Sequence, residues 1–215
     1  MSKIHRIKCG NVNCYIVESG TNGILVDTGK KEFVDKVIEA CRGYNIRLIV
    51  LTHAHFDHAE NAAQISNTLG APIGMNERDG NLILSNTNQS LLASTLLGKV
   101  VLSASLKEFS VRAMPGFKPD LWLHDGDSLC DYGIDAQILA LPGHTDGSIG
   151  IHVEKKYFLA GDALMNMFYP TVSMMYHDRD AMMESARRIS SIGDRMIYFG
   201  HGKPVSNRRW GRPKR

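Results

Sequence analysis

Thr52-His53-Ala54-His55-Phe56-Asp57-His58 places three imidazoles and a carboxylate within six residues, directly after the apolar run Leu48-Ile49-Val50-Leu51. Neutral imidazole is the commonest protein ligand for a metal ion, and a bound ion needs several such groups converging on one point. His53 and His55 are two apart, so an extended or turning backbone aims them the same way. Asp57 repeats that period, and His58 opens whatever follows. Metal binding accounts for this density better than a solvated polar loop. Pro142-Gly143-His144-Thr145, Gly161-Asp162 and Gly200-His201-Gly202 repeat the theme further along. Singly, these are ordinary turn residues. Together, His53, His55, Asp57, His58, His144, Asp162 and His201 offer seven nitrogen and oxygen ligands, which suits two cations rather than one. Histidine and carboxylate without cysteine suit zinc, with iron or manganese as alternatives.

Strand ends are expected to carry these groups. Residues 3–9 and 12–19 read as strands around a Gly10-Asn11 turn, the second with one buried face, and a third strand covers 23–26. Asp27 at its end is expected to shape a turn, with a bond to a ligand histidine as the lesser reading. An apolar stripe at Phe33, Val34, Val37, Ile38 and Cys41 predicts a helix over 31–42, closed by Gly43. Residues 46–51 form a buried strand, and ligands gather at such strand ends in layered α/β folds. The next helix is expected over 59–69, with Asp57 and Glu60 as an N-terminal capping arrangement. Residues 71–75 read as an edge strand. Within 76–120 the pattern is weak: a short helix ending at Gly98, then loop, shaping access to the site. Leu129 is expected to lead into a strand that ends at an Asp131-Tyr132-Gly133 hairpin turn, and strands over 134–141, 149–153 and 157–160 follow. A helix over 178–192 is capped by Asp178 and turns Met182, Ala186 and Ile189 inward, and a last strand covers 196–199. Strands followed by a helix in each half hint at internal duplication. Met174-Met175-Tyr176 is expected in the core, with pocket lining as the lesser reading, and His5, His124, His152 and His177 are expected to have structural or surface roles.

The chain has 215 residues, 43% of them hydrophobic and 22% charged, enough to bury a substantial core as one globular domain over 1–207. No apolar run approaches the roughly 20 residues of a membrane span, and Met1-Ser2-Lys3-Ile4-His5-Arg6 lacks a signal-peptide core. A cytoplasmic setting is expected, with Cys9, Cys14, Cys41 and Cys130 as largely buried free thiols. The net charge of +3 excludes a global basic field. Residues 208–215 form a basic tail with five positive side chains and Trp210. That tail is expected to be solvated, with a nucleic-acid contact as the sharper alternative.

Thr-His-x-His-x-Asp-His, then Pro-Gly-His-Thr, Gly-Asp and Gly-His-Gly, in that order, resemble the metallo-β-lactamase superfamily of hydrolases. Val12-Asn13-Cys14-Tyr15 and Val26-Asp27-Thr28-Gly29 are also similar to its N-terminal region. The resemblance covers nearly the whole chain apart from the middle stretch and the tail. It implies an α/β fold, a four-layer αββα sandwich with two metal ions at one edge of the sheets. One ion would be held by His53, His55 and His144, the other by Asp57, His58 and His201, with Asp162 bridging. It further implies that a metal-bridging hydroxide attacks the substrate, with Asp57 orienting it or passing its proton on. Histidine at 55, where the diiron flavoprotein branch usually has glutamate, favours hydrolysis over redox chemistry. Glu60, where many relatives have glycine, is expected to add negative charge beside the second ion.

The expected substrate is a small thioester, ester or lactone, as in shortened glyoxalase-II-like and lactonase-like members. A typical glyoxalase II carries an additional C-terminal helical domain for which this chain has no room. A phosphodiester or RNA substrate is the second reading, resting on the tail and Lys203. A flavodiiron-like redox module and a non-catalytic metal-binding protein complete the alternatives. No membrane partner is expected.

Overall fold

The computed structural model describes residues 1–112 and 114–207. The basic tail, with Trp210, lies outside the described residues. In chain order the elements are β1 (Lys3–Cys9), β2 (Val12–Ser19), β3 (Asn22–Val26), α1 (Val34–Cys41), β4 (Asn45–Val50), α2 (Phe56–Ala59), α3 (Ala62–Leu69) and β5 (Ile73–Met75). Then come α4 (Leu96–Val111), β6 (Leu121–Trp122), β7 (Ala136–Ala140), β8 (Ile149–Val153), β9 (Tyr157–Leu159), β10 (Leu164–Met165), β11 (Thr171–Val172), α5 (Arg179–Ser191), β12 (Met196–Tyr198) and β13 (Val205–Ser206). The N-terminal half builds a sheet ordered β1-β2-β3-β4-β5-β6, and the C-terminal half one ordered β13-β12-β9-β8-β7.

Strand alternation explains the layering, because successive side chains leave a strand on opposite faces. Tyr15, Val17, Ile24, Val26, Leu48 and Val50 meet Ile138, Ile149, Ile151, Val153 and Leu159 between the sheets. Their neighbours Cys14, Ile16, Leu25 and Ile49 face outward onto Val37 and Cys41 of α1 and Ala62 and Ile65 of α3. Across the molecule, Phe158, Ile197 and Phe199 pack outward on Ala186 and Ile189 of α5. The result is a four-layer αββα sandwich. Both faces of β2 are therefore buried, not one: an inner strand covered by a helix layer outside and a sheet inside has no wet face.

Several boundaries depart from the sequence reading. The helix expected over 59–69 is two, broken at Glu60-Asn61. There the Asn61 amide donates to the carbonyls of Thr28, Gly29 and Lys30 at 2.8–3.1 Å, and satisfying a buried loop outweighs continuing a helix. Asp57 is not a cap; it sits inside the first turn of α2, whose start has no side-chain cap bond. Strand β5 is interior, flanked by β4 and by the two-residue β6. The helix expected to end at Gly98 instead begins at Leu96, with Thr95 Oγ1 accepting from the Gly98 amide, and runs through it. Leu129 leads into a 3-10 turn over Cys130–Tyr132 and not into a strand, and the chain turns at Asp131-Tyr132-Gly133 as expected. Asp178 does cap α5, accepting from the amides of Asp180 and Ala181.

All four cysteines are free, and Cys9, Cys14 and Cys41 are buried, but Cys130 is exposed. It lies on the 3-10 turn over Cys130–Tyr132. Burial pushes the Cys41 thiol up to about 12. A thiol reagent should therefore modify one cysteine rapidly in the native protein and the other three only on unfolding. Two or more fast thiols by mass spectrometry would contradict this packing.

Candidate metal centre

Four strands deliver the predicted groups to one end of the sandwich: β4 runs into 53–58, β7 into His144, β9 into Asp162 and β12 into His201. The structure brings all seven together, in three groups whose ligand atoms lie within 4.8 Å of one another. These are His53, His55 and His144; His53, His58 and Asp162; and Asp57, His58 and His201. Asp162 stands between the others. Its Oδ2 is 3.1 Å from His201 Nε2 and 3.8 Å from His144 Nε2, and its Oδ1 is 3.5 Å from His58 Nε2. Gly200 makes this approach possible, since a Cβ there would collide with Asp162 Oδ1.

Hydrogen bonds on the far side of the His53, His58, His144 and His201 rings fix which nitrogen faces inward. Asp27, expected to shape a turn, is instead the centre of this bracing. Its Oδ2 lies 2.8 Å from His58 Nδ1 and accepts from Thr52 Oγ1 at 2.9 Å, while Oδ1 accepts from the Thr52 amide at 2.8 Å. Having donated its proton to Asp27, Thr52 Oγ1 can only accept from His53 Nδ1, 3.1 Å away. One carboxylate thus sets the tautomers of His53 and His58. His144 Nδ1 is held by the Met175 carbonyl at 2.9 Å and His201 Nδ1 by the Asn11 carbonyl at 2.8 Å. Met175, read from sequence as core, serves the site with its backbone and also lines the pocket. Asn13 and Tyr15 anchor the His201 loop through the carbonyls of Phe199 and Gly202.

The donor set fits cations. His53 Nε2, His58 Nε2 and Asp162 Oδ1 are buried with no hydrogen-bond partner, as is His55 Nε2. Such groups are costly unless a ligand completes them. His55 Nδ1 and His144 Nε2 face each other at 3.1 Å, near the roughly 3.3 Å spacing of two nitrogens on a tetrahedral zinc with bonds of about 2.05 Å. Burial, reinforced by the neighbouring imidazoles, drives His53 and His55 well below the ordinary histidine range, so both are neutral. Burial also works against charging His58, but Asp162, Asp27 and Asp57 outweigh it and raise His58 to about 10. His201 is raised in the same way, by Asp162 and Asp57 against burial.

A consequence can be measured. At pH 7 the metal-free site stores a proton on His58, and His201 is shifted in the same direction, so a cation must displace protons to bind. Calorimetric zinc titrations should show one to two protons released, with affinity rising up to about tenfold per pH unit per proton between pH 6 and 8. Heats independent of buffer ionisation enthalpy would refute this.

Two further residues bear on the centre. Glu60 does not face the metal groups: its Oε2 accepts from the Lys31 amide and from Arg112 Nη1, both at 2.8 Å, so its charge is spent on Arg112. Asp79, in the stretch where sequence periodicity failed, is wholly buried beneath two ligand loops. It accepts from the Ala54 amide (3.1 Å), Thr145 Oγ1 (2.8 Å), the Gly147 amide (2.7 Å) and Gln89 Nε2 (3.2 Å). Nothing local in the sequence marks it. His5, His124, His152 and His177 lie outside the three groups.

An αββα sandwich presenting convergent, buried histidines and carboxylates at the end of its sheets defines a class of metal-site proteins. Within it, the chain belongs to the metallo-beta-lactamase superfamily, whose model matches residues 7–201; most members of that superfamily are hydrolases. It is 29% identical over 198 residues to the hydroxyacylglutathione hydrolase GloC of Haemophilus influenzae, covering 88% of this chain and 85% of that one. It is 28% identical to an uncharacterized protein of Aquifex aeolicus, covering 71% of this chain and 65% of that one. Among solved structures, the di-iron-bound form of TTHA1623 superposes with a TM-score of 0.71 at 23% identity, covering 98% of this chain and 97% of that one. BLEG-1 B3 metallo-beta-lactamase gives 0.72 at 20% identity, covering 97% and 95%. No helix among the described residues is long and apolar enough to cross a membrane.

Proposed function

We propose that this protein is a hydrolase of small thioesters, esters or lactones whose centre is a pair of divalent cations. His53, His55 and His144 would hold one and Asp57, His58 and His201 the other, with Asp162 shared. The observation that carries this reading is the set of buried polar atoms without a hydrogen-bond partner, His53 Nε2, His58 Nε2 and Asp162 Oδ1, turned toward a common space. Bound cations would lower the pKa of a coordinated water to about 7 and polarise a carbonyl oxygen. Around them the protein's own groups orient and move protons. Asp27 and Thr52 keep His53 and His58 in the ligating tautomer. Asp57, part-exposed and with Oδ2 3.6 Å from His201 Nε2, is placed to accept the attacking water's proton and return it to the leaving thiolate or alkoxide.

The likeness to a hydroxyacylglutathione hydrolase puts thioesters first. Zinc suits the donors; iron is tested beside it because one structural neighbour is in a di-iron-bound form. Four free cysteines fit a reducing, cytoplasmic setting. The test is a panel of thioesters, esters, lactones and phosphodiesters assayed on zinc-, iron- and manganese-loaded protein, with metal content measured. We expect close to two ions per chain and turnover confined to the carbonyl substrates. A reproducible single equivalent would sink the dinuclear centre. Turnover of phosphodiesters alone would overturn the substrate class.

A further inference from the structure

The pocket over the metal groups has an uneven lining. One side is the ligands themselves. The other is Val101 and Phe109 of α4 facing Met165, Met167 and Met175. Two charged side chains stand beside this apolar wall, Lys30 and Glu108, and they pair with each other at 3.1 Å. Lys30 also lies over the Phe56 ring, 5.2 Å from its centroid. Among the described residues lining the pocket, Lys30 is the only lysine or arginine, and its charge is already engaged. Beyond Met167, the tip of the β10–β11 hairpin exposes Phe168 (69%) and Tyr169 (63%). On α4, Leu97 lies one helical turn before the pocket-lining Val101 and is also exposed. Large apolar groups clustered at a pocket mouth mark a binding surface more than a fold requirement.

We propose that the substrate carries an uncharged apolar chain next to its scissile carbonyl, seated between α4 and the β10–β11 hairpin. This rests on the hydrolytic reading and narrows it. A glutathione thioester brings two carboxylates and an ammonium, and this wall offers them one lysine that is already paired. Methionine is suited to the proposed role, because its flexible, polarizable side chain fits chains of varying shape. The reaction is balanced by water alone: a bond forms between the water oxygen and the carbonyl carbon, the C–S or C–O bond breaks, and the leaving thiol or alcohol takes a proton.

The experiment uses the metal-loaded full chain and N-acetylcysteamine thioesters from acetyl to hexanoyl. A second arm extends the chain on the thiol side with acetyl held constant, and a third compares hexanoyl glutathione. Each buried methylene is worth about fourfold, so kcat/KM should rise on the order of 100-fold along whichever side occupies the wall. Hexanoyl glutathione should be the poorer of the two hexanoyl substrates. The double variant Met167→Ser, Phe168→Ser should flatten the chain-length ratio about tenfold. A flat profile in both arms, or preference for the glutathione thioester, would overturn the proposal while leaving hydrolysis standing. Calorimetry with non-hydrolysable alkyl thioethers on metal-free protein separates the two readings. Tightening with chain length supports the apolar wall even if nothing is cleaved, and flat affinity refutes it.

Discussion

If the proposed centre holds two ions and hydrolyses its substrate, replacing Asp162 with alanine should reduce bound metal from two equivalents to one or fewer and lower turnover on the order of 10³-fold or more. Among the described residues, Asp162 is the one carboxylate within 4 Å of His58, His144 and His201 at once. Without it the ligands fall into separate sets of three, and imidazoles gathered in a buried space lose the anion that offsets their charge. In the metal-free protein the carboxyl is held well below its ordinary range: burial pushes it up, but His201, His58 and His144 overcome that. The sign follows for stability. A depressed carboxyl pKa stabilises the fold above the unfolded value near 3.8, and that contribution fades as pH falls toward the folded value. The metal-free wild type should therefore lose more stability than Asp162→Ala on acidification below about pH 4. Metal content by mass spectrometry and thermal melts against pH check both statements. Two retained equivalents with intact turnover would refute the shared role.

The second large effect is expected at Asp79, far from any recognisable motif. Asp79→Ala strands four buried donors, two of them backbone amides on loops that carry His55 and His144. Breaking a buried, hydrogen-bonded carboxylate costs about 3–5 kcal/mol, which for a chain of this size lowers Tm by roughly 10 °C. The loops it joins supply His53, His55 and His144, so affinity at that group should weaken about 10–100-fold, and the Asp57, His58 and His201 group should be less affected. Asp79→Asn should be intermediate, because its one carbonyl oxygen can still accept while its NH2 opposes the remaining donors. Metal affinities determined by competition with a chelator separate positioning from mere support. A lowered Tm with both affinities unchanged would show that Asp79 holds the fold and not the site.

The residues of the candidate metal centre were legible for a physical reason. A metal group needs particular side chains, strand ends need turns, and turns need glycine, so His144, Asp162 and His201 each stand beside glycine in a recognisable local pattern. Period-2 strands and the Asp178 cap were equally local. Missed features depend on partners distant in the chain. Asp79 meets Ala54 25 residues away and Gly147 68 residues away. Asp27, for which a bond to a ligand histidine was only the lesser reading, reaches His58 across 31. Helix α4 was obscured because its apolar residues do not fall on one face. Several of them, including Leu96 and Val100, are exposed, so the periodicity that normally betrays a buried helix is weak.

By itself, then, the sequence determined the layered α/β class, the superfamily and the seven side chains that gather at the sheet ends, because each rests on spacing and residue type along the chain. Tertiary structure alone decided how those side chains are held and what faces them. It turned Asp27 and Thr52 into the bond that fixes two histidine tautomers, brought Asp79 under two loops, directed Glu60 to Arg112 and set an apolar wall opposite the ligands. Such contacts join segments that only packing brings together, and burial decides whether a carboxylate there is a turn residue, an ion-pair partner or a brace.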